Sequence, residues 1–200
     1  MKTNQQTKET RAFQTQFKVE TRTEDEEKRV KVEGYAAVFN SETELYGLRE
    51  SIDPGAFAEA LESSDVRALF NHDANMLLAR TGSGTLKLSV DQQGLKYEFD
   101  LPDTQLGRDL GVLMERGDLA ESSFAFTVSD EEWRDLDKDI PLRVIKKIDK
   151  LFDVAPVTYP AYADTTVALR SKPDAPEPTP NLQEKRERQL KLAELNLTEF

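Results

Sequence analysis

Apolar residues alternate with polar ones in short runs along most of this chain. Phe13, Thr15, Phe17 and Val19 are separated by other polar residues, and the same period of two recurs over 122–128. Strands with one buried face have this pattern, because successive side chains point to opposite sides of a sheet. The sequence therefore predicts a mostly β domain.

Turn signals divide the chain into further strands. Asp91-Gln92-Gln93-Gly94 separates the alternating runs 85–90 and 95–101, which indicates a hairpin. Gly34 marks a bulge in a strand that begins near Val30 and ends at Phe39. The remaining runs with strand character are 66–72, 142–148 and 151–158.

Two segments have helical features instead. Asp53 is a natural N-cap for a short helix over 53–61, with Pro54 at its first position. Apolar residues recur at helical spacing over 104–116, and Gly117 ends that helix. The predicted fold class is α+β, mostly β, with a closed or nearly closed antiparallel β-barrel and flanking α-helices.

The 200 residues suit one domain and a tail. We expect a flexible N-terminal arm over 1–12 and the domain over 13–170. The Pro-rich run SKPDAPEPTPN predicts a linker over 171–181, and 182–200 has the charge pattern of a solvated helix.

Composition excludes several kinds of chemistry. The chain has no cysteine and one histidine, so disulfides and thiolate nucleophiles are impossible, and neither a metal nor another cofactor is expected. A net charge of −11 argues against binding to nucleic acid phosphates. The N-terminus lacks the apolar core of a signal peptide and no apolar run is long enough for a membrane span, which favours the cytoplasm of the producing cell.

His72 and Ser123 are the candidates for acid–base and nucleophilic chemistry. His72 follows the apolar run Leu69-Phe70, where a strand leaves for a loop, although a lone histidine is more often structural. Ser123 shares the small, polar face of its strand with Ala125 and Thr127, which leaves room for an extended peptide beside the hydroxyl. A plain strand with one polar face has the same alternation, and neighbouring Ser122 is the alternative if the register shifts by one residue.

A carboxylate completes the set that serine chemistry needs. Asp153 lies within the apolar run Leu151–Val157, where a charge is costly unless it has a partner such as an imidazole N–H. Asp149, on the same face, is its competitor. The chain has no G-x-S-x-G elbow and no Gly-rich phosphate loop followed by lysine.

Several blocks in order resemble the prohead protease family of tailed phages. They are Gly34–Asn40, the stretch Arg49–Phe57 with E-x-I-x-P-G-A-F character, Leu69–Asp73 around the histidine, Gly117–Phe126 around the serine, and the looser Asp153–Tyr162. The resemblance covers about 31–166. The family often has glycine where this chain has Ala125.

The resemblance implies a serine endopeptidase with His72 as base, Ser123 as nucleophile and Asp153 as the third catalytic residue. It implies a β-barrel with surrounding helices, as in the herpesvirus assembly proteases, and an enzyme that works as an oligomer inside the assembling procapsid in the host cytoplasm. The implied substrates are the scaffold region of the major capsid protein and the protease itself. The alternatives are a non-catalytic head-assembly protein on the same fold and an acidic β-rich binding module unrelated to phages.

Overall fold

The computed structural model describes residues 7–24, 27–45 and 47–159. Within these residues the chain forms strands, two α-helices and one short 3₁₀ turn (Thr81–Ser83). The elements in chain order are β1 (Glu9–Gln14), β2 (Lys18–Glu24), β3 (Glu27–Val38), β4 (Thr43–Leu45), β5 (Leu48–Ile52), α1 (Ala58–Ser63), β6 (Arg67–Leu69), β7 (Leu77–Arg80), β8 (Leu86–Val90), β9 (Gly94–Asp100), α2 (Gln105–Arg116), β10 (Glu121–Arg134) and β11 (Leu142–Val157).

A seven-stranded sheet is built around the long hairpin of β10 and β11. Its strand order is β1-β10-β11-β5-β4, with β6 paired to β11 and β7 paired to β6. β11 has 16 residues, so it can pair in parallel with β5 along its first part and with β6 along its second. This division places β6 beside Asp153 and Val154, near the open end of the β10–β11 hairpin.

The second sheet has four antiparallel strands in the order β2-β3-β9-β8. Its Tyr97 and the first sheet's Phe124 and Phe126 belong to one buried cluster, which also contains Phe57 of the segment before α1. Burying one such aromatic side chain contributes about 1.5–3 kcal/mol. The shared core therefore fixes the position of β10, the strand that carries the adjacent Ser122 and Ser123.

Sequence and structure agree closely for the hairpin and for the second helix. β8 and β9 pair in register from Leu86 with Phe99 to Val90 with Leu95. The Thr104 side chain caps α2 by accepting a hydrogen bond from the Gly107 N–H. Gly117, with φ of 77°, ends this helix in the left-handed conformation that glycine adopts without steric cost.

Other predicted elements differ from the structure. The helix expected over 53–61 begins only at Ala58, because Asp53 caps a preceding turn through the Gly55 N–H. The single strand expected from Phe13 to Val19 is split between β1 and β2, which lie in different sheets. The strands expected at 142–148 and 151–158 are one continuous strand, β11.

Two further expectations concern the barrel and the N-terminal arm. Among the described residues the strands form two sheets, and neither closes on itself, so the predicted barrel is not confirmed. Residues 9–12, expected in a flexible arm, are part of β1, and Glu9 and Arg11 are buried there. Their charges are neutralised inside the fold, which is why a polar segment can be a strand.

The linker predicted over 171–181 and the helix over 182–200 lie outside the described residues, and both stay predictions. Within the described part of the chain, neither helix has the length and apolar character that a bilayer crossing requires.

Candidate active site

The two adjacent serines of β10 point to opposite faces of the strand. Ser122 faces the core, where its hydroxyl is 2.9 Å from the Tyr97 hydroxyl. Ser123 faces the other side, and its residue is only 2% exposed. The alternation of a β-strand therefore separates the two hydroxyls, and Ser123 is the one directed at the histidine.

His72 lies in the turn that follows β6. Its φ is 59° and that of Asn71 is 54°, so two consecutive non-glycine residues adopt the left-handed conformation. Asn71 is tied to the end of β11: its N–H donates to the Pro156 carbonyl and its side-chain oxygen accepts from the Thr158 N–H. These bonds hold the strained turn where the imidazole reaches β10 and β11.

Ser123, His72 and Asp153 form one hydrogen-bonded line. His72 Nε2 is 2.7 Å from Ser123 Oγ, and His72 Nδ1 bonds to Asp153 Oδ1. Asp153 and Ser123 are close because β10 and β11 pair with Ser123 opposite Ala155 and Ala125 opposite Asp153. The three side chains that the sequence singled out are thus brought together.

Asp149, the alternative carboxylate, lies elsewhere. It is exposed, and the Thr127 hydroxyl is 3.4 Å from its Oδ2. Asp153 is buried, with its second oxygen 3.5 Å from Lys8 Nζ, while Lys8 also lies over the Phe152 ring. Both oxygens of the buried Asp153 carboxylate therefore face positively polarised or charged nitrogen atoms.

The Ser123 hydroxyl has a second partner that sequence reasoning missed. Ser123 Oγ is 2.9 Å from the Arg11 carbonyl oxygen of β1 and donates to it. A hydroxyl has one hydrogen and a carbonyl has none, so this bond uses the only proton that the serine can give. His72 Nε2 is 2.7 Å from the same oxygen, so the Arg11 carbonyl and the imidazole compete for that proton.

A buried cluster of charges adjoins this serine along β1. The Arg11 guanidinium contacts both oxygens of Glu50, at 2.5 Å and 2.8 Å, and Arg143 bonds to Glu50 and to Glu9. Burial alone would raise the pKa of Glu50, but Arg11 and Arg143 outweigh it and hold that pKa below its ordinary value. The pKa of Arg11 is raised, because Glu50 and Glu9 together outweigh the opposing effect of burial.

No signal in the sequence could have found this cluster. Arg11 and Glu50 are 39 residues apart, and Arg143 is 134 residues from Glu9. Each of these residues is of a charged type that usually occupies a solvent-facing position of a strand. Only the pairing of β1, β5, β10 and β11 brings them together.

Metal ligands are not gathered at the site. In the described ranges no three histidine, cysteine, aspartate or glutamate side chains are grouped to hold an ion. The hydrogen-bonded line of serine, imidazole and carboxylate matches the set that serine hydrolases use to activate a hydroxyl.

A known protein family matches most of this sequence. The sequence model of the caudovirus prohead serine protease family matches residues 17–177. The chain belongs to this family. It is accordingly a serine protease of the kind that acts in phage capsid maturation.

One solved structure supports the fold. The chain is similar to the bacteriophage T4 capsid assembly protease, with a TM-score of 0.56 at 9% identity, over 78% of this chain and 100% of that chain. At this identity the likeness concerns the fold. A search of curated proteins gives no match. The family match begins at residue 17, after β1 has ended at Gln14.

Proposed function

We propose that this protein is a prohead maturation endopeptidase that cleaves the scaffold region of the major capsid protein and also its own chain. It acts as an oligomer inside the procapsid while the procapsid assembles in the host cytoplasm. In this proposal Ser123 is the nucleophile, His72 the general base and Asp153 the group that orients His72. The observation that carries it is the line of hydrogen bonds from Ser123 through His72 to Asp153.

The geometry supports an acyl-enzyme mechanism. A serine hydroxyl is a weak nucleophile until a base within hydrogen-bond reach takes its proton, and His72 Nε2 is 2.7 Å away. The Asp153 carboxylate on Nδ1 fixes the tautomer in which Nε2 is free to accept that proton, and it stabilises the imidazolium that follows. His72 then gives the proton to the leaving amine, and water releases the acyl group by the reverse steps.

The test is cleavage of the capsid protein co-expressed with the protease. We expect wild type to shorten the capsid protein and to be labelled by a fluorophosphonate, whereas Ser123→Ala and His72→Ala do neither. Ser122→Ala is the matched control, because it removes the neighbouring hydroxyl that faces Tyr97 and leaves the hydrogen-bonded line intact.

Two results would contradict the proposal. Cleavage by Ser123→Ala would show that another residue is the nucleophile. A folded wild type that binds the capsid protein but neither cleaves it nor takes up label would instead support a non-catalytic head-assembly protein.

A further inference from the structure

The strand β1 covers the proposed nucleophile. Ala12 is directly opposite Ser123 in the ladder, and the Ser123 hydroxyl donates to the Arg11 carbonyl at 2.9 Å. A peptide carbonyl must approach this oxygen to be attacked, yet Ser123 is 2% exposed. With β1 in place, no substrate backbone can reach the serine along this edge of β10.

β1 is one of the edge strands of the seven-stranded sheet, and among the described strands it pairs with β10 alone. Its residues precede the family-matched region, which begins at residue 17. Its departure would expose the N–H and C=O groups of β10, which any extended peptide can pair with in the same way.

The side-chain contacts of β1 are selective, unlike its backbone pairing. Arg11 lies with its guanidinium on Glu50 and 5.6 Å from the centre of the Phe126 ring. Glu9, two residues earlier, accepts from both terminal nitrogens of Arg143. Glu50 and Arg143 belong to β5 and β11, so they stay behind when β1 leaves.

We propose that β1 occupies the binding site of the peptide substrate, and that Glu50 and Arg143 select peptides with a glutamate two residues before an arginine at the scissile bond. This inference rests on the proposed protease function and names its substrate. The pattern follows from charge. A peptide without the arginine leaves the buried Glu50 with one cationic partner fewer, and a peptide without the glutamate leaves the buried Arg143 with one anionic partner fewer.

The chain itself contains this pattern at five places. The pattern Glu-x-Arg occurs at 9–11, 20–22, 27–29, 132–134 and 184–186. The first four are in β1, β2, β3 and β10, whereas 184–186 follows the last described residue, Tyr159.

The tail segment resembles β1 beyond this pattern. Residues 184–189 are Glu-Lys-Arg-Glu-Arg-Gln and β1 is Glu-Thr-Arg-Ala-Phe-Gln, so glutamate, arginine and glutamine stand at the same three positions. The other sites have no glutamine there. We therefore assign 184–189 as the segment of this protein that takes the place of β1.

In that register the carbonyl at Ser123 is that of Arg186. Ser123 Oγ bonds to this carbonyl carbon and the Arg186–Glu187 peptide bond breaks. The serine proton passes through His72 to the new amine of Glu187, and water then hydrolyses the ester to a carboxylate on Arg186. Cleavage releases residues 187–200.

The first experiment locks β1 in place in the full chain. Gln14 and Glu121 are directly opposite each other at the far end of the β1–β10 ladder, which suits a disulfide, and the chain has no other cysteine. We expect oxidised Gln14→Cys/Glu121→Cys to lose fluorophosphonate labelling at least tenfold and to regain it on reduction. A second cross-link, Ser89→Cys/Lys96→Cys between β8 and β9, is the control and should label equally in both states.

The second experiment measures specificity as the ratio of kcat/KM for two peptides on the same protein. Any inhibition by β1 affects both peptides equally and cancels in this ratio. The probes are the peptide Leu-Gln-Glu-Lys-Arg-Glu-Arg-Gln and its copy with glutamine in place of the central arginine. We expect wild type to favour the first in kcat/KM by about 30-fold or more, as for loss of one partner of a buried charge pair. Glu50→Gln should reduce this ratio to a few-fold.

The outcomes separate this inference from the proposed function. If the locked protein labels as fast as its reduced form, or if wild type cleaves both peptides equally, the inference is wrong while the protease function stands. If the reduced protein shows neither labelling nor cleavage of the capsid protein, both are wrong.

Discussion

The two sheets of this protein keep their charges in different places. The seven-stranded sheet buries Glu9, Arg11, Glu50, Arg143 and Asp153. The four-stranded sheet carries Lys31, Glu33, Lys96 and Glu98 as a ladder of ion pairs whose side chains are between 17% and 28% exposed.

The difference follows from what each sheet does. Ion pairs at a surface are solvated and contribute about 0–1 kcal/mol, so the ladder of the four-stranded sheet adds little. Buried charges are costly when unpaired, and a chain keeps them where position or chemistry requires a charge. The seven-stranded sheet carries Ser123, Asp153 and the cluster beside them, and the turn after its strand β6 carries His72. This placement supports the proposal that the active site belongs to this sheet.

The largest expected effect is the loss of catalytic rate on replacing Asp153, the buried carboxylate that bonds to His72. Asp153→Asn keeps the shape but presents an amide to His72 and favours the wrong tautomer, so we expect kcat to fall by about 10⁴-fold. Peptide cleavage measures it, with Asp149→Asn as the exposed control on the same strand. Equal losses in the two variants would contradict the assignment of Asp153.

The next prediction compares the stability lost on removing one cationic side chain from each sheet. Arg143→Met removes one of the two arginines that Glu9 and Glu50 share, and we expect a loss of about 3–5 kcal/mol in the free energy of unfolding. Lys31→Met removes the cation between Glu33 and Glu98 and should cost about 1 kcal/mol or less. Urea denaturation gives both values, and similar losses would remove the distinction between the sheets.

A smaller expected effect is the pH dependence of the stability that Glu50 contributes. The folded-state pKa of Glu50 is lowered, so its stabilising contribution is complete above the ordinary glutamate pKa of about 4.3 and is lost as the pH falls through the lowered value. Glu50→Gln should therefore unfold at lower urea than wild type at pH 7, with a gap that narrows below about pH 4. Urea midpoints from pH 7 to pH 3 measure this gap, and a gap that is constant or widens towards acid would show that Glu50 is not held ionised by its arginines.

Local signals predicted the parts of the fold that local physics determines. Thr104, Gly117 and the turn 91–94 act through bonds within a few residues, and the structure confirms the helix and hairpin that they mark. The contact between Ser123 and His72 joins residues that are 51 positions apart in the sequence, and only ordered family blocks pointed to it. β1 could not be recognised, because a polar segment becomes a buried strand only when distant residues neutralise its charges.

The acidic end of β10 illustrates the same limit. Residues 130–134 read as Asp-Glu-Glu-Trp-Arg and have no strand pattern, yet they continue β10 by pairing with 142–147 of β11. The partner strand supplies the hydrogen bonds, so the local preference of these residues does not decide their conformation.

The left-handed pair Asn71 and His72 gives the three catalytic candidates unequal freedom to evolve. Ser123 and Asp153 belong to strands whose neighbours form the core, so their positions change only if the core is rebuilt. The imidazole is carried by a turn between two short strands and is held by a few bonds to the end of β11. Sequence drift or directed evolution can therefore tune turnover through the turn 70–76 while the scaffold that carries the nucleophile stays unchanged.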